Sequence, residues 1–189
     1  MSAEILLDAD ALAGHVRRLG FEIERDHPGG VVLIGVLKGA LLFVADLARA
    51  IKNVPVQLDF IAISRFAPDS GRVKILHDVD ADISGRDVVL VEDIVDTGLT
   101  LAYLTGQLRD RAPRTLSTCA LLDRPARRIV PAELRYRGVE LEDEFVLGYG
   151  LHMRDLYRNL PFVAVGDRDV VAAEPAAYVG QLYGPNGRY

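Results

Sequence analysis

The sequence contains no tryptophan and only one cysteine, Cys119, among its 189 residues. A single cysteine excludes an internal disulfide framework and is typical of a reducing compartment, so we expect a cytoplasmic location. No apolar run approaches the roughly 20 residues that a membrane-spanning helix requires. The first residues, Met1 to Glu4, lack the basic segment and apolar core of a signal peptide. We therefore expect neither a disulfide-stabilised protein nor a membrane protein.

Positive charge is also scarce. The chain has 22 lysines and arginines but 27 aspartates and glutamates, which gives a net charge of -5. Such a chain lacks the broad positive field that attracts nucleic acid or anionic lipid. The composition is otherwise that of a globular domain, with 50% hydrophobic and 26% charged residues. The length fits one domain with a complete core. A small molecule is therefore a better expected partner than nucleic acid or a membrane.

Helical and strand-like segments alternate along the chain. Helical spacing of apolar residues predicts helices over residues 10–26, 40–51 and 100–111. Short apolar or β-branched runs predict strands over residues 31–36, 56–64, 73–76, 87–91 and 116–122, with shorter segments near 136–139, 145–148 and 162–165. This alternation predicts an α/β fold, with a parallel sheet covered by helices on both faces. Residues 65–72 read as a loop, and residues 169–189, rich in glycine and proline, as a loosely ordered tail.

One segment indicates a binding site. A predicted strand ends in two acids, Glu92 and Asp93, and a tight turn and a helix follow. Backbone N–H groups at a turn entering a helix lack partners, and the helix dipole adds positive potential. Together they form an anion site suited to a phosphate. Gly98 permits close approach, and Thr97 and Thr100 offer hydroxyl donors. The paired acids can accept hydrogen bonds from the vicinal hydroxyls of a sugar.

These residues carry a resemblance to a known family. The run Glu92–Thr100 resembles the motif with which type I phosphoribosyltransferases bind phosphoribosyl pyrophosphate (PRPP). Three further segments resemble parts of the hypoxanthine-guanine members: the pyrophosphate loop at Leu33–Ala40, the purine-stacking segment at Glu144–Gly150 and the closing arginine motif at Tyr157–Pro161. The order and spacing fit across residues 6–165.

The resemblance implies a type I phosphoribosyltransferase fold, with a parallel sheet flanked by helices and a small hood subdomain. The hood would come from the chain start and from about 130–168, within a domain of residues 1–168 followed by a tail at 169–189. The implied activity transfers 5-phosphoribosyl from PRPP to hypoxanthine or guanine in purine salvage, with Mg²⁺ as cofactor. Relatives that are dimers or tetramers imply a homodimer or homotetramer.

The resemblance also implies roles for individual residues. Asp96 is implied as the general base beside N7 of the purine. The 5'-phosphate would be bound by Asp96, Thr97, Gly98, Leu99 and Thr100. Ribose and magnesium would be held by Glu92 and Asp93, and pyrophosphate by Lys38, Gly39 and Arg158. A closing lid over residues 64–72 would include Ser64 and Arg65. The base would contact Arg124, Phe145, Val146 and His152.

Three of these positions depart from the family pattern. The lid usually carries Ser-Tyr, where this chain has Ser64-Arg65. A lysine usually donates to the purine 6-oxo group, where this chain has Arg124, which keeps the charge but is larger and planar. An aspartate usually follows the Gly-Tyr-Gly-Leu run, where this chain has His152, a poor ligand for a hard cation.

These departures leave two alternatives open. One is a phosphoribosyltransferase for a nonstandard purine-like base, such as a deazapurine, in a biosynthetic pathway. The other is a regulator that keeps the PRPP site as a sensor and binds nucleic acid. Asp96 and the acidic net charge argue against the regulator.

Overall fold

The computed structural model describes residues 2–64 and 73–183. In chain order, the strands are β1 Glu4–Leu7, β2 Val31–Leu37, β3 Val56–Ile63, β4 Ile75–His77, β5 Asp87–Val95, β6 Thr115–Asp123, β7 Tyr136–Glu140, β8 Phe145–Leu147 and β9 Val163–Gly166. The helices are α1 Ala9–Asp26, α2 Leu41–Ala50, α3 Leu99–Arg109, α4 Arg168–Ala173 and α5 Val179–Leu182, with a 3-10 turn at Pro125–Arg127.

The main sheet has six strands in the order β4-β3-β2-β5-β6-β7. All neighbouring strands are parallel except β3 and β4, which pair antiparallel across the 65–72 segment. The predicted α/β class and the predicted pairing of the strand near residue 75 with the one before it are both confirmed. The predicted loop itself lies outside the described residues.

Both faces of the main sheet are covered, which explains why β2 and β5 are apolar almost throughout. Alternate residues of β2 point to opposite faces. Val31 and Leu33 pack with α1 and α2, whereas Val32 and Ile34 pack with α3. The core therefore lies in two layers on either side of the sheet, and it holds the ends of the central strands in place.

Helix α1 follows directly from local sequence signals. Asp8 caps its first turn by accepting a hydrogen bond from the Ala11 N–H at 2.8 Å. The buried residues recur at helical spacing, namely Leu12, Val16, Leu19, Gly20 and Ile23. None of the helices in the described part of the chain is long and apolar enough to cross a membrane.

A second, smaller sheet has the order β1-β9-β8, with antiparallel pairing throughout. Its first strand, Glu4–Leu7, was not predicted, because four residues carry too little periodicity to be recognised. The segment after residue 168 differs from the loosely ordered tail that was expected. It forms α4 and α5, and their residues Val171, Tyr178 and Leu182 are buried in an apolar cluster with Leu147 and Phe162. Apolar burial against the small sheet outweighs the local effect of Pro175 and Gly180.

Candidate active site

The predicted site residues gather at one edge of the main sheet, where the parallel strands end. Lys38 follows β2, Asp96 follows β5 and Arg124 follows β6. The chain connects β2 to β3 on one side and β5 to β6 on the other, so the strand order reverses between β2 and β5. Open α/β sheets bind their ligands in the crevice at such a reversal.

One cavity at this edge, of about 370 Å³, is lined by the turn between β5 and α3. Gly98 has a φ of 82° and precedes α3, whose first turn has no side-chain cap. A Cβ atom at Gly98 would also lie 2.6 Å from the Val130 carbonyl oxygen, so only glycine fits. The Leu99 N–H donates to Thr97 Oγ1 at 3.4 Å. The remaining N–H groups of this turn form an anion site beside Thr100, which also lines the cavity.

The two acids on β5 line the same cavity. Burial raises the pKa of Glu92 well above its usual value, and the neighbouring Asp93 adds to the effect. Burial also raises the pKa of Asp93 to about 6, although the N–H of Ile94 donates to its carboxylate at 2.9 Å. A nearby cation would favour the charged form of both groups.

This pair of carboxylates fits a hard cation such as Mg²⁺, which prefers oxygen ligands and retains several waters or substrate oxygens. Within residues 2–64 and 73–183, no cluster of three or more histidine, cysteine, aspartate or glutamate side chains could hold a metal by itself. The donor set therefore suits a cation that binds together with a phosphorylated ligand.

Lys38, Gly39 and Arg158 converge beside these acids. The peptide bond between Leu37 and Lys38 is cis. A Cβ atom on Gly39 would collide with the Asp93 carboxylate, so the loop after β2 is in close contact with β5. Asp155 links the two cations, since its Oδ1 accepts from Arg158 Nη2 at 2.9 Å and lies 4.0 Å from Lys38 Nζ. The Arg158 side chain also donates to the Gly150 carbonyl at 2.5 Å.

A second cavity, of about 280 Å³, adjoins the first. It is lined by Asp93, Ile94, Asp96, Arg124, Arg127, Phe145, Val146, Leu151, His152 and Arg168. Asp96 therefore borders both cavities. The His152 ring is oriented by Nδ1, which accepts from the Asp155 N–H at 3.0 Å. Because Nδ1 accepts, it carries no proton in this arrangement.

Arg124 is the most buried cation of this second cavity, with 4% of its side chain exposed. Its Nη1 lies 2.9 Å from Asp96 Oδ1, and its Nη2 donates to the Glu144 carbonyl. The Asp96 contact is an ion pair without hydrogen-bond geometry. In the described part of the chain, Asp96 Oδ1 and Arg124 Nε are both buried and have no hydrogen-bond partner. Buried polar atoms of this kind are uncommon and indicate a place for a ligand.

Comparison with known proteins agrees with this geometry. A phosphoribosyl transferase domain profile matches residues 2–154. The hypoxanthine-guanine phosphoribosyltransferase of Mycobacterium tuberculosis is 43% identical over 173 residues, covering 86% of this chain and 85% of that protein. The hypoxanthine phosphoribosyltransferase of Salmonella typhimurium is 38% identical over 168 residues, covering 86% of this chain and 94% of that protein.

Solved structures lead to the same family. The crystal structure of a hypoxanthine-guanine phosphoribosyltransferase from Bacillus anthracis superimposes with a TM-score of 0.83 at 42% identity. The match covers 87% of this chain and 98% of that one. The chain belongs to the phosphoribosyltransferase family. The recognition made from sequence motifs is therefore confirmed, as is the predicted fold.

Within this phosphoribosyltransferase, most predicted site residues lie around the two adjoining cavities. The first cavity is bordered by Ser64, Glu92, Asp93, Asp96, Thr97, Gly98 and Thr100. The second is bordered by Arg124, Phe145, Val146 and His152. Arg65 lies outside the described residues, so its place in a lid stays a prediction. The roles that the resemblance implied for all of these residues also stay predictions.

Some residues of the phosphoribosyltransferase site were not predicted. Arg127 and Arg168 line the second cavity, and Arg127 pairs with Asp143. Arg128 donates to the Asp96 carbonyl at 2.8 Å and so supports the turn. The repeated arginines after Arg124 were a usable signal, since they follow the end of a strand that borders the site. Arg168 had no such signal, because it reaches the cavity from a helix that the sequence did not predict.

Proposed function

We propose that this protein transfers the 5-phosphoribosyl group of PRPP to hypoxanthine or guanine, forming the nucleoside 5'-monophosphate and pyrophosphate in purine salvage. The observation that carries this proposal is the place of Asp96, which borders both the anion cavity and the adjoining cavity lined by Phe145. A reaction between a phosphorylated sugar and a planar base needs such a shared boundary. The names of the relatives support the same substrates.

On this proposal, the 5'-phosphate lies at the start of α3 and receives hydrogen bonds from the turn of Asp96, Thr97, Gly98, Leu99 and Thr100. Glu92 and Asp93 hold the ribose hydroxyls. Lys38, the Gly39 backbone and Arg158 contact the pyrophosphate. Bound Mg²⁺, held by Glu92 and Asp93 together with PRPP oxygens, would offset the negative charge of the pyrophosphate.

The base would occupy the second cavity, with its ring against Phe145 and its edge near the Val146 backbone. The two buried atoms without partners fit a 6-oxopurine. Arg124 Nε would donate to the 6-oxo group, and Asp96 Oδ1 would accept the proton of N7, the ring nitrogen next to that group. His152 also borders this cavity and would lie beside the base.

In the reaction, the bond from the ring nitrogen to C1' forms while the bond from C1' to the pyrophosphate oxygen breaks. N7, the other nitrogen of the five-membered ring, transfers its proton to the Asp96 carboxylate. Negative charge grows on the departing pyrophosphate, where Lys38 and Arg158 stabilise it more strongly than they stabilise bound PRPP. A lid that includes Ser64 and Arg65 would exclude water, which would otherwise hydrolyse PRPP.

We further propose a cytoplasmic homodimer or homotetramer without nucleic-acid or membrane partners, with the three-stranded sheet as the hood of a domain of residues 1–168. The single cysteine and the acidic net charge support this part. Of the two alternatives, the nonstandard purine-like base is disfavoured, because the relatives are named for hypoxanthine and guanine. The regulator that binds nucleic acid is disfavoured by the net charge.

The test is a turnover assay with PRPP, Mg²⁺ and each of hypoxanthine, guanine, xanthine and a 7-substituted deazaguanine. We expect turnover of hypoxanthine or guanine. We also expect Asp96→Asn to lower kcat by about 10²- to 10⁴-fold, the usual contribution of a general base. Its melting temperature should stay close to that of the wild type, because the Asp96 side chain is 39% exposed.

Two results would count against the proposal. Turnover of the deazaguanine alone would favour the nonstandard base. Full activity of Asp96→Asn would remove Asp96 from the chemistry. A gel-shift assay with DNA and RNA, with no shift expected, addresses the regulator.

A further inference from the structure

A hydrogen bond outside both cavities ties the pyrophosphate side of the site together. Tyr149 is 7% exposed, and its hydroxyl donates to Asp46 Oδ2. The backbone of Tyr149 has a φ of 48°, a left-handed conformation that is unfavourable for a bulky side chain. Such a conformation persists only where surrounding contacts hold it in place, and the bond to Asp46 is one of these contacts.

Asp46 lies on α2, the helix that begins just after the Lys38-Gly39 loop. Its other carboxylate oxygen accepts from Arg49, one turn further along the same helix. The carboxylate is therefore oriented from its own helix and presents one oxygen to Tyr149. The Tyr149 hydroxyl thus connects the element that carries the pyrophosphate loop to the 148–151 segment that follows β8.

The next residue, Gly150, contacts both Arg158 and Gly39, two of the residues that the proposed function assigns to pyrophosphate. Its N–H donates to the Arg158 carbonyl at 2.8 Å, and its own carbonyl accepts from Arg158 Nη1 at 2.5 Å. Its φ is +100°, and a Cβ atom there would collide with the Gly39 carbonyl oxygen. Any shift of Tyr149 would therefore move the carbonyl that holds the Arg158 guanidinium and the surface on which Gly39 packs.

We propose that Tyr149 and Asp46 are positioning residues that hold Gly150 against Gly39 and Arg158, and so set the affinity for the diphosphate part of PRPP without touching it. This inference rests on the proposed function, which assigns Lys38, Gly39 and Arg158 to pyrophosphate. Neither Tyr149 nor Asp46 lines the two cavities of the site.

A purely structural role would also account for a buried tyrosine with a partner, because a buried hydroxyl without one is costly. The two roles differ in what they change. Loss of a structural contact lowers the melting temperature and leaves the substrate constants alone. Loss of a positioning contact raises KM for PRPP and Kd for pyrophosphate more than KM for the base, because the displaced groups, Gly39, Gly150 and Arg158, do not line the base cavity.

The experiment compares Tyr149→Phe and Asp46→Ala with Asp46→Asn, whose amide oxygen can still accept the tyrosine hydroxyl. The matched control is Tyr136→Phe, since the Tyr136 hydroxyl also donates to an aspartate, Asp26, at 3.1 Å and lines neither cavity. KM for PRPP and for the base, kcat, Kd for pyrophosphate by calorimetry and the melting temperature are measured for each protein.

We expect Tyr149→Phe and Asp46→Ala to raise KM for PRPP and Kd for pyrophosphate about 3- to 10-fold, the effect of one lost hydrogen bond. Asp46→Asn should recover most of this loss, and Tyr136→Phe should change only the melting temperature. The double variant Tyr149→Phe/Asp46→Ala should be no weaker than either single variant, because both remove the same contact.

Unchanged PRPP and pyrophosphate constants in a folded Tyr149→Phe protein would overturn the inference and leave the proposed function intact. Equal increases in KM for PRPP and for the base would also overturn it, since they indicate general damage. If the wild type neither turns over PRPP nor binds pyrophosphate, the proposed function fails, and the inference fails with it.

Discussion

The Asp96 carboxylate, which borders both cavities, lies against the guanidinium of Arg124, which borders only the second. Burial lowers the pKa of Arg124, although the nearby Asp96 opposes this shift. Arginine nevertheless stays charged in proteins, so the side chain is a permanent donor. Its planar fork reaches both Asp96 and the Glu144 carbonyl, whereas a lysine ammonium on a flexible stem would hold neither contact in a fixed direction. Arg124 therefore lines the second cavity with its orientation already set.

Substitution of Arg124 by methionine should remove this donor while keeping much of the buried volume. We expect kcat/KM for the base to fall about 10- to 100-fold, since a hydrogen bond to a charged group contributes roughly 1.5–3 kcal/mol. KM for PRPP should change little, because Lys38, Gly39 and Arg158 do not line the cavity that Arg124 borders. Initial-rate kinetics with each substrate varied in turn measures both constants.

Arg124→Lys serves as the comparison for this variant and should lie between it and the wild type, because it keeps the charge and loses the fork. A similar rise in both Michaelis constants for Arg124→Met would mean that the whole site is disturbed. If Arg124→Met had the same kinetic constants as the wild type, Arg124 would not be needed to recognise the base.

The loop after β2 approaches strand β5 so closely that the side chain at residue 39 decides whether they fit. A Cβ atom on Gly39 would collide with the Asp93 carboxylate, and one on Gly150 would collide with Gly39 from the other side. The glycine in α3 has no such steric reason. Gly106 lies in the interior of this helix, and a Cβ atom there would meet nothing within 4 Å.

Alanine substitutions at Gly39 and Gly106 should therefore act in opposite directions. Gly39→Ala should destabilise the protein by about 1–3 kcal/mol through overpacking and should raise KM for PRPP. Gly106→Ala should stabilise it by about 0.5–1 kcal/mol, because alanine is a better helix former, and should leave kinetics unchanged. Urea unfolding at pH 7 gives both free energies. If Gly39→Ala were as stable and active as the wild type, the close approach of residue 39 to the Asp93 carboxylate would be disproved.

At the scale of the whole molecule, a cluster of charged residues also lies at the edge of the main sheet opposite the candidate site. Asp87, the first residue of β5, lies at the amino end of the strand that carries Glu92 and Asp93 near its other end. Its carboxylate accepts from Arg114 Nε at 2.8 Å and from Thr115 Oγ1 at 2.8 Å, and His27 Nδ1 lies 3.6 Å away. The hydrogen bonds from Arg114 lower the pKa of Asp87 well below its usual value, against the opposing effect of burial.

This lowered pKa makes part of the free energy of unfolding depend on pH. The unfolded aspartate has a pKa of about 3.9. Below that pH the folded protein holds fewer protons than the unfolded chain, so the contribution of Asp87 is complete above about pH 4 and declines as the pH falls further. We expect Asp87→Asn to lower the free energy of unfolding by about 1.5–3 kcal/mol at pH 7, through weaker hydrogen bonds to Arg114.

Urea unfolding of Asp87→Asn and wild type at pH 7, 5 and 3 measures this dependence. The difference in the free energy of unfolding between the two proteins should be similar at pH 7 and 5 and smaller at pH 3. The kcat/KM of Asp87→Asn at pH 7 should stay within about twofold of the wild type, because Asp87 lines neither cavity of the site. A difference in the free energy of unfolding that grows at low pH would contradict the direction of the pKa shift of Asp87.

The local sequence alone determined the alternation of helices and strands and the tight turn between β5 and α3. Periodicity and glycine placement act over a few neighbouring residues, so Gly98, Thr97 and the acids on β5 could be interpreted directly. The motif order was also sufficient to recognise the phosphoribosyltransferase family. Two parts of the structure could not be predicted in this way: β1, which is too short to be recognised, and the segment after residue 168, whose helices depend on burial.

Only the tertiary structure decided which distant residues meet. The bond between Tyr149 and Asp46 joins positions 103 residues apart, and Arg168 reaches the second cavity from a helix that forms only against the small sheet. The contact of Arg124 with Asp96 likewise requires β5 and β6 to end side by side. Local patterns determine how each segment folds, but such contacts depend on how the segments pack, since a side chain's long-range partner is set by strand order and burial.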